Sequence, residues 1–173
     1  MKALVTGATG FIGNRLCDLL QKEGYPFKVI LRKKDKHFKE SVICDLEREI
    51  LPSQAFEGVT SVFHLAGHAH DIKNRVDNEA RYTSLNIEAS IKLAKRAAQM
   101  DVKRFIFVSS VKAGGTKVRG NLNTETTKGE PDGIYGKTKR KAEIRRMELA
   151  KETTMEITVL RPSLVYGANV KGN

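Results

Sequence analysis

At 173 residues, with 40% hydrophobic content, the chain is long enough for one domain with a sizeable core and no disulfide or metal staples. The formal net charge of +11 suits an anionic ligand, but no aromatics interleave with the basic clusters as a single-strand platform would require, so nucleic-acid binding is not expected. No apolar run approaches membrane-spanning length and no signal peptide is evident, so a cytoplasmic protein is expected, with Cys17 and Cys44 as buried thiols in a reducing compartment.

The first predicted strand runs from Lys2 to Thr6. The chain then turns on Gly7, Gly10 and Gly13 into a helix whose apolar positions are Ile12, Leu16, Leu19 and Leu20. The spacing is GxxGxxG. Gly7 permits the tight turn, Gly10 removes a Cβ that would hold backbone away from a phosphate, and Gly13 lets helix and strand pack closely. Backbone amides at the helix start, together with the helix dipole, make this a site for a pyrophosphate.

Further strands are predicted at Phe27–Leu31, Ser41–Cys44 and Thr60–Leu65, the last followed by an Ala66-Gly67 turn. A long helix follows from about Glu79 to Met100, with Tyr82, Leu85, Ala89, Leu93 and Ala97 on one stripe. Lys103–Ser109 is a fifth strand, and its continuous run Phe105–Val108 suggests burial on both faces. A polar stretch from Gly114 to Gly133 is expected to form a mobile flap. Another helix covers Tyr135 to Lys151, and Glu156–Leu160 is a sixth strand. The alternation implies an α/β fold, a Rossmann-type doubly wound parallel sheet whose ligands sit beyond the carboxyl ends of the strands. Lys92, Lys95, Arg96, Lys137, Lys139, Arg140, Lys141, Arg145 and Arg146 are read as solvated helix faces.

A second constellation is Tyr135-Gly-Lys-Thr-Lys139. Residues four apart on a helix share a face, and an ammonium beside a phenol favours the phenolate, so Tyr135 is a candidate acid/base with a lowered pKa. Ser110, at the fifth strand's end on the same rim, can bond the same substrate oxygen.

Together these residues resemble the short-chain dehydrogenase/reductase superfamily, in its extended branch of nucleotide-sugar epimerases, dehydratases and reductases. The resemblance rests on TGATGFIG at 6–13, Cys44-Asp45-Leu46, His64-Leu65-Ala66-Gly67, Asn86, Ser109-Ser110, Tyr135–Lys139 and Arg161–Gly167. The stretches SSVKAGG and RPSLVYGANVKGN look most like bacterial enzymes acting on UDP-N-acetylhexosamines.

The resemblance implies that Gly7, Gly10, Phe11, Ile12 and Gly13 hold the pyrophosphate of NAD or NADP. It places Asp45 and Leu46 beside the adenine, Leu65, Ala66 and Gly67 along the cofactor channel, Asn86 near the active site and Pro162 at the nicotinamide. Ser110 and Tyr135 would bind the reacting hydroxyl, and Lys139 would also bond the nicotinamide ribose. Asp45 as a turn residue and Asn86 as a polar group bonded to backbone remain the structural alternatives. Arg32, where a carboxylate for the ribose 2′-OH is expected, leans toward NADP.

The implied reaction is hydride transfer at C4 of a nucleoside-diphosphate sugar, a UDP-hexose or UDP-N-acetylhexosamine. Val111 and Lys112 stand where dehydratases carry an Asp-Glu pair, leaving a 4-epimerase or a 4-keto reductase. A non-catalytic NAD(P)-binding sensor or scaffold is the alternative. Residues 1–173 read as the NAD(P)-binding domain of a longer enzyme, with the C-terminal substrate lobe missing and weak or no turnover expected alone. A homodimer through the two long helices is a further expectation. His68 and His70, with Asp71 adjacent, could be partial metal ligands, but such residues more often face solvent or an anionic ligand, so no metal is expected and substrate contact is the better reading.

Overall fold

The computed structural model describes residues 1–68, 80, 82–115, 124–125, 129–168 and 170. Six strands form one sheet: β1 (Lys2–Thr6), β2 (Phe27–Leu31), β3 (Ser41–Ile43), β4 (Val59–His64), β5 (Arg104–Val108) and β6 (Glu156–Leu160). Their order is β3-β2-β1-β4-β5-β6, and every pairing is parallel. The order reverses at β1 and β4, which opens a crevice above their carboxyl ends. β3 stops one residue short of the predicted Cys44, and β4 starts and ends one residue early.

Helices cover both faces. α1 (Phe11–Lys22) packs through Cys17 on Val5, Val29 and Leu31, with Leu16 and Leu20 at its margin. The opposite face carries Leu4, Ile30, Val62, Phe105 and Phe107 under α2 (Ser90–Gln99) and α4 (Gly133–Glu152). The neighbours Leu4 and Val5 thus enter different clusters, as the two-residue period of a strand requires.

Several expectations need correction. Ile12 and Leu19 are exposed, because the buried line of α1 runs through Gly13 and Cys17. β5 is not sealed on both faces. Phe105 and Phe107 are fully buried, but Ile106 and Val108 are half-buried on the side of α1, where the apolar cluster ends at Phe63 and Leu65. The long helix is not uniformly α: Thr83–Ala89 is a π-helical segment leading into α2. Asn86 in this segment and Ser90 at the start of α2, four residues apart, are both buried. Residues 79 and 81, at the predicted start, lie outside the described residues, as do 116–123 and 126–128 of the expected flap.

Lys92, Lys95, Lys137, Lys141 and Arg145 are exposed, as read from the sequence, whereas Lys139 and Arg146 are buried. Both thiols are buried and unpaired, and burial pushes each up to about 11. Among the described residues no helix is long and apolar enough to cross a membrane.

Candidate functional site

A cleft of about 1060 Å³ lies at the crevice. One wall is the turn after β1. Gly7 has a φ of +71°, and a Cβ there would lie 2.6 Å from the Ala66 nitrogen. A Cβ on Gly13 would overlap the Gly7 carbonyl oxygen, so α1 starts directly against the turn. No side chain caps α1 at Gly10, which leaves its first-turn amides, at Phe11, Ile12 and Gly13, available to an anion. A narrow cradle, uncapped amides and the cleft volume fit the pyrophosphate of a dinucleotide.

The opposite wall comes from β5, β6 and α4. The ladder continues past the strand ends: the Ser109 amide donates to the Leu160 carbonyl at 2.7 Å and the Val111 amide to the Pro162 carbonyl at 3.1 Å. Ser110 and Pro162 are thereby set side by side on the cleft. Ser110 also caps the short helix α3 (Val111–Gly114), its Oγ accepting from the Lys112 amide at 3.3 Å. Gly136 lets α4 cross α3 closely, since a Cβ there would overlap the Lys112 carbonyl oxygen.

Tyr135 is half-buried and lines the cleft together with Ser110. Its phenol is raised, first by burial and further by Tyr82, with the Ser110 hydroxyl pulling the other way. This corrects the expectation that Lys139 lowers it. The Lys139 Nζ lies 5.8 Å from the phenol ring centroid and donates to the Val108 carbonyl at 3.0 Å. Burial, aided by Arg146 and opposed by Glu143, brings Lys139 down to about 7. The Tyr82 ring meets Tyr135 edge-on at 6.2 Å and His68 at the same distance.

Gly7, Gly10, Phe11, Ile12, Gly13, Leu65, Gly67, Ser110, Tyr135, Lys139 and Pro162 all line the cleft. Arg32, Asp45, Leu46, Ala66 and Asn86 are not among its lining residues. Arg32 is exposed just past β2. Asp45 ties a turn, its Oδ1 accepting from the Glu47 amide at 3.1 Å. The Ala66 amide donates to Thr6 Oγ1 at 3.2 Å. Asn86 clamps the chain after β4: its Oδ1 accepts from the His68 amide at 2.9 Å and its Nδ2 donates to the His68 carbonyl at 3.1 Å. His70 and Asp71 lie outside the described residues.

Sequence reasoning missed Arg15, whose guanidinium carbon sits 3.8 Å over the Phe11 ring and which donates to the Ala168 carbonyl at 2.6 Å on the cleft edge. It also missed Glu143, buried beneath the site. Glu143 accepts from Ser109 Oγ at 2.5 Å and from Arg161 at 2.9 and 2.6 Å. The signal was present: Glu143 follows Lys139 by four residues and so shares its helix face.

The sequence matches the NAD dependent epimerase/dehydratase family over residues 3–173. It is 36% identical to a UDP-glucose 4-epimerase of Vibrio cholerae, across 98% of this chain and 53% of that protein. It is 28% identical to an Escherichia coli O157:H7 N-acetyl-alpha-D-glucosaminyl-diphospho-ditrans,octacis-undecaprenol 4-epimerase, across 98% and 50%. Among solved structures, a Thermotoga maritima UDP-glucose 4-epimerase with UDP-glucose superposes with a TM-score of 0.81 at 31% identity, covering 93% of this chain and 55% of that one. A Bacillus cereus UDP-glucuronic acid 4-epimerase in complex with NAD gives 0.83 at 26% identity, covering 96% and 57%. The chain spans about half the length of the curated relatives it matches. With that match along nearly its whole length, the chain belongs to the NAD-dependent epimerase/dehydratase family.

Proposed function

We propose that residues 1–173 form the NAD(P)-binding unit of a nucleotide-sugar 4-epimerase or 4-keto reductase acting on a UDP-hexose or UDP-N-acetylhexosamine. The observation that carries this reading is that Ser110, Tyr135 and Lys139 line the same cleft as the glycine cradle. The relatives named as UDP-sugar 4-epimerases support the substrate class.

Gly7, Gly10, Phe11, Ile12 and Gly13 would hold the pyrophosphate, Leu65, Ala66 and Gly67 the channel beyond it, and Pro162 the nicotinamide. Asp45 and Leu46 would flank the adenine. When bound, the nicotinamide would supply the acceptor and donor of hydride. Tyr135 would take the C4 hydroxyl proton and return it, with Ser110 holding the same oxygen. Its raised phenol keeps that proton in place at neutral pH until substrate binds. Lys139, buried and near neutrality in its titration, would gain charge beside a developing phenolate. Dehydration is disfavoured because Val111 and Lys112 offer no carboxylate at the positions after Ser110.

Arg32, exposed and followed by Lys33 and Lys34, favours NADP through a 2′-phosphate contact. The exposed Ile144 and Met147 on α4 favour a homodimer through that helix, which light scattering would detect.

Thermal-shift titration with NAD, NADH, NADP and NADPH tests the reading. At a hundredfold excess over Kd the tightest should stabilise by about 2.7 kcal/mol, a rise of roughly 5–10 °C. No shift with any of the four would overturn it.

A further inference from the structure

Beneath the cleft floor runs a buried polar chain that the proposed reaction does not use. Arg146, on the inward face of α4, has 0% exposure and no carboxylate partner among the described ion pairs. It donates to the Ala142 carbonyl at 2.7 Å and to Ser90 Oγ, and its guanidinium carbon lies 3.8 Å from the Phe107 ring centroid. Ser90 Oγ is 2.5 Å from His64 Nε2, and His64 Nδ1 is 2.6 Å from Thr6 Oγ1. Thr6 immediately precedes Gly7 and accepts from the Ala66 amide. The chain therefore reaches from the helix that carries Tyr135 and Lys139 to the glycine turn on the other wall.

Its direction follows from donor chemistry. Arginine carries donors alone, so Ser90 Oγ accepts from Arg146 and has one proton left to give. A buried positive charge at that oxygen polarises the O–H, making it a better donor than a second-time acceptor. The proton goes to His64 Nε2. The imidazole then carries its own proton on Nδ1 and donates to Thr6. Around His64 stand Arg146 and Lys139 from α4, Ser90 from the start of α2, Thr6 from β1, and Phe105 and Phe107 from β5. Burial, then Arg146 and Lys139, hold the imidazole neutral, well below its ordinary range. Phe107 is shared by two cations, with Lys139 Nζ 4.8 Å from its centroid. Arg146 and Glu143, from α4 itself, are the charged neighbours that move Lys139.

We propose that Arg146 is a positioning residue: it orders the Ser90–His64–Thr6 chain and so holds the catalytic helix in register with the glycine turn. The consequence for cofactor binding rests on the function proposed above; the ordering of His64 does not.

The test is ¹⁵N NMR of histidine-labelled protein without cofactor, with NADH affinity measured by fluorescence. In the wild type His64 should show a protonated Nδ1 and a bare Nε2, unchanged from pH 8 to 5.5. Arg146→Met should mix the tautomers, raise the proton affinity of Lys139 at least threefold in a ¹³C-lysine titration, and weaken NADH at least fivefold. Arg146→Lys, which restores a charged donor, should recover the His64 tautomer and most of the affinity. Should Arg146→Met fail to fold, Ser90→Ala breaks the same chain with Arg146 in place and should mix the tautomers likewise. An Nε2-protonated wild type, or a His64 signal unmoved by these variants, would overturn the proposal. So would unchanged NADH affinity in a variant whose tautomers have mixed. Failure of the wild type to bind any dinucleotide would instead sink the proposed function, while the His64 signals would still decide the role of Arg146.

Discussion

The Lys139 ammonium donates to the Val108 carbonyl at 3.0 Å and stays 5.8 Å from the centre of the Tyr135 ring. The two halves of the YxxxK pattern share a helix face, but the lysine is anchored to the strand beneath. Val108 and Lys139 thereby fix α4 to the end of β5, and the phenol shares the cleft with Ser110.

That anchoring has a measurable cost. Lys139 titrates at about 7 in the folded protein against an ordinary lysine value of 10.5. Between these values the unfolded chain binds a proton that the folded chain does not, so stability rises with pH through the window. From pH 7 to 9 the slope from this group should approach about 1.4 kcal/mol per unit. Arg146, lowered to about 9, adds its own rise only above that, and the two thiols, raised from 9.0 to about 11, act in the opposite sense there. Urea unfolding at pH 7, 8 and 9 should show the rise in the wild type, and Lys139→Met should flatten it. Parallel curves for the two proteins would contradict the burial of a titrating lysine.

The glycine turn offers a graded steric test. A Cβ on Gly13 would collide with the fixed Gly7 carbonyl, whereas one on Gly10 would come no closer than 3.1 Å to the same oxygen. Gly13→Ala should therefore cost about 1–3 kcal/mol, a typical overpacking penalty, and Gly10→Ala less. Dinucleotide affinity should suffer in both, because Gly10 faces the cleft. Equal melting temperatures for the two variants would show that α1 can shift off the turn.

Much of this was legible from period and punctuation. Glycines at 7, 10 and 13 marked the strand-to-helix turn, and apolar runs separated by helical spacing gave six parallel strands in the observed places. Arg146 was not legible as a buried group, since α4 carries charge all round and its inward face mixes polar residues with Ala142 and Leu149. A two-state hydrophobic pattern cannot separate a solvated charge from one satisfied by Ser90, Ser109 or Arg161. Asn86 was visible as a polar residue in a helix, but its clamp on His68 is a tertiary contact between residues 18 apart that local sequence does not announce. The half-open face of β5 depends on where α1 ends across the sheet, a property of tertiary packing.

Glu143 is 4% exposed and accepts from Ser109 Oγ and from Nε and Nη2 of Arg161. Removing it leaves a guanidinium that is part-buried and a serine hydroxyl without its acceptor. Glu143→Ala should cost about 3 kcal/mol, the lower end for a broken buried pair because Arg161 retains some contact with solvent. The double variant Glu143→Leu with Arg161→Met should recover much of that loss. A double variant no more stable than the single one would mean that backbone geometry at Ser109, not the ion pair, carries the energy.

Tyr135→Phe removes one oxygen and nothing of the cradle. In the full-length protein, turnover of a UDP-sugar should fall by roughly 100-fold or more, the range for losing a general acid/base. Dinucleotide affinity should change by less than about twofold, since the proposed contacts to the cofactor come from the glycine turn, Lys139 and Pro162. Ser110→Ala should lower turnover less, because Tyr135 keeps its proton-carrying oxygen on the cleft. The two variants together separate chemistry from binding: a tyrosine variant that lost cofactor and turnover in parallel would place the phenol in the binding surface instead of at the reacting hydroxyl.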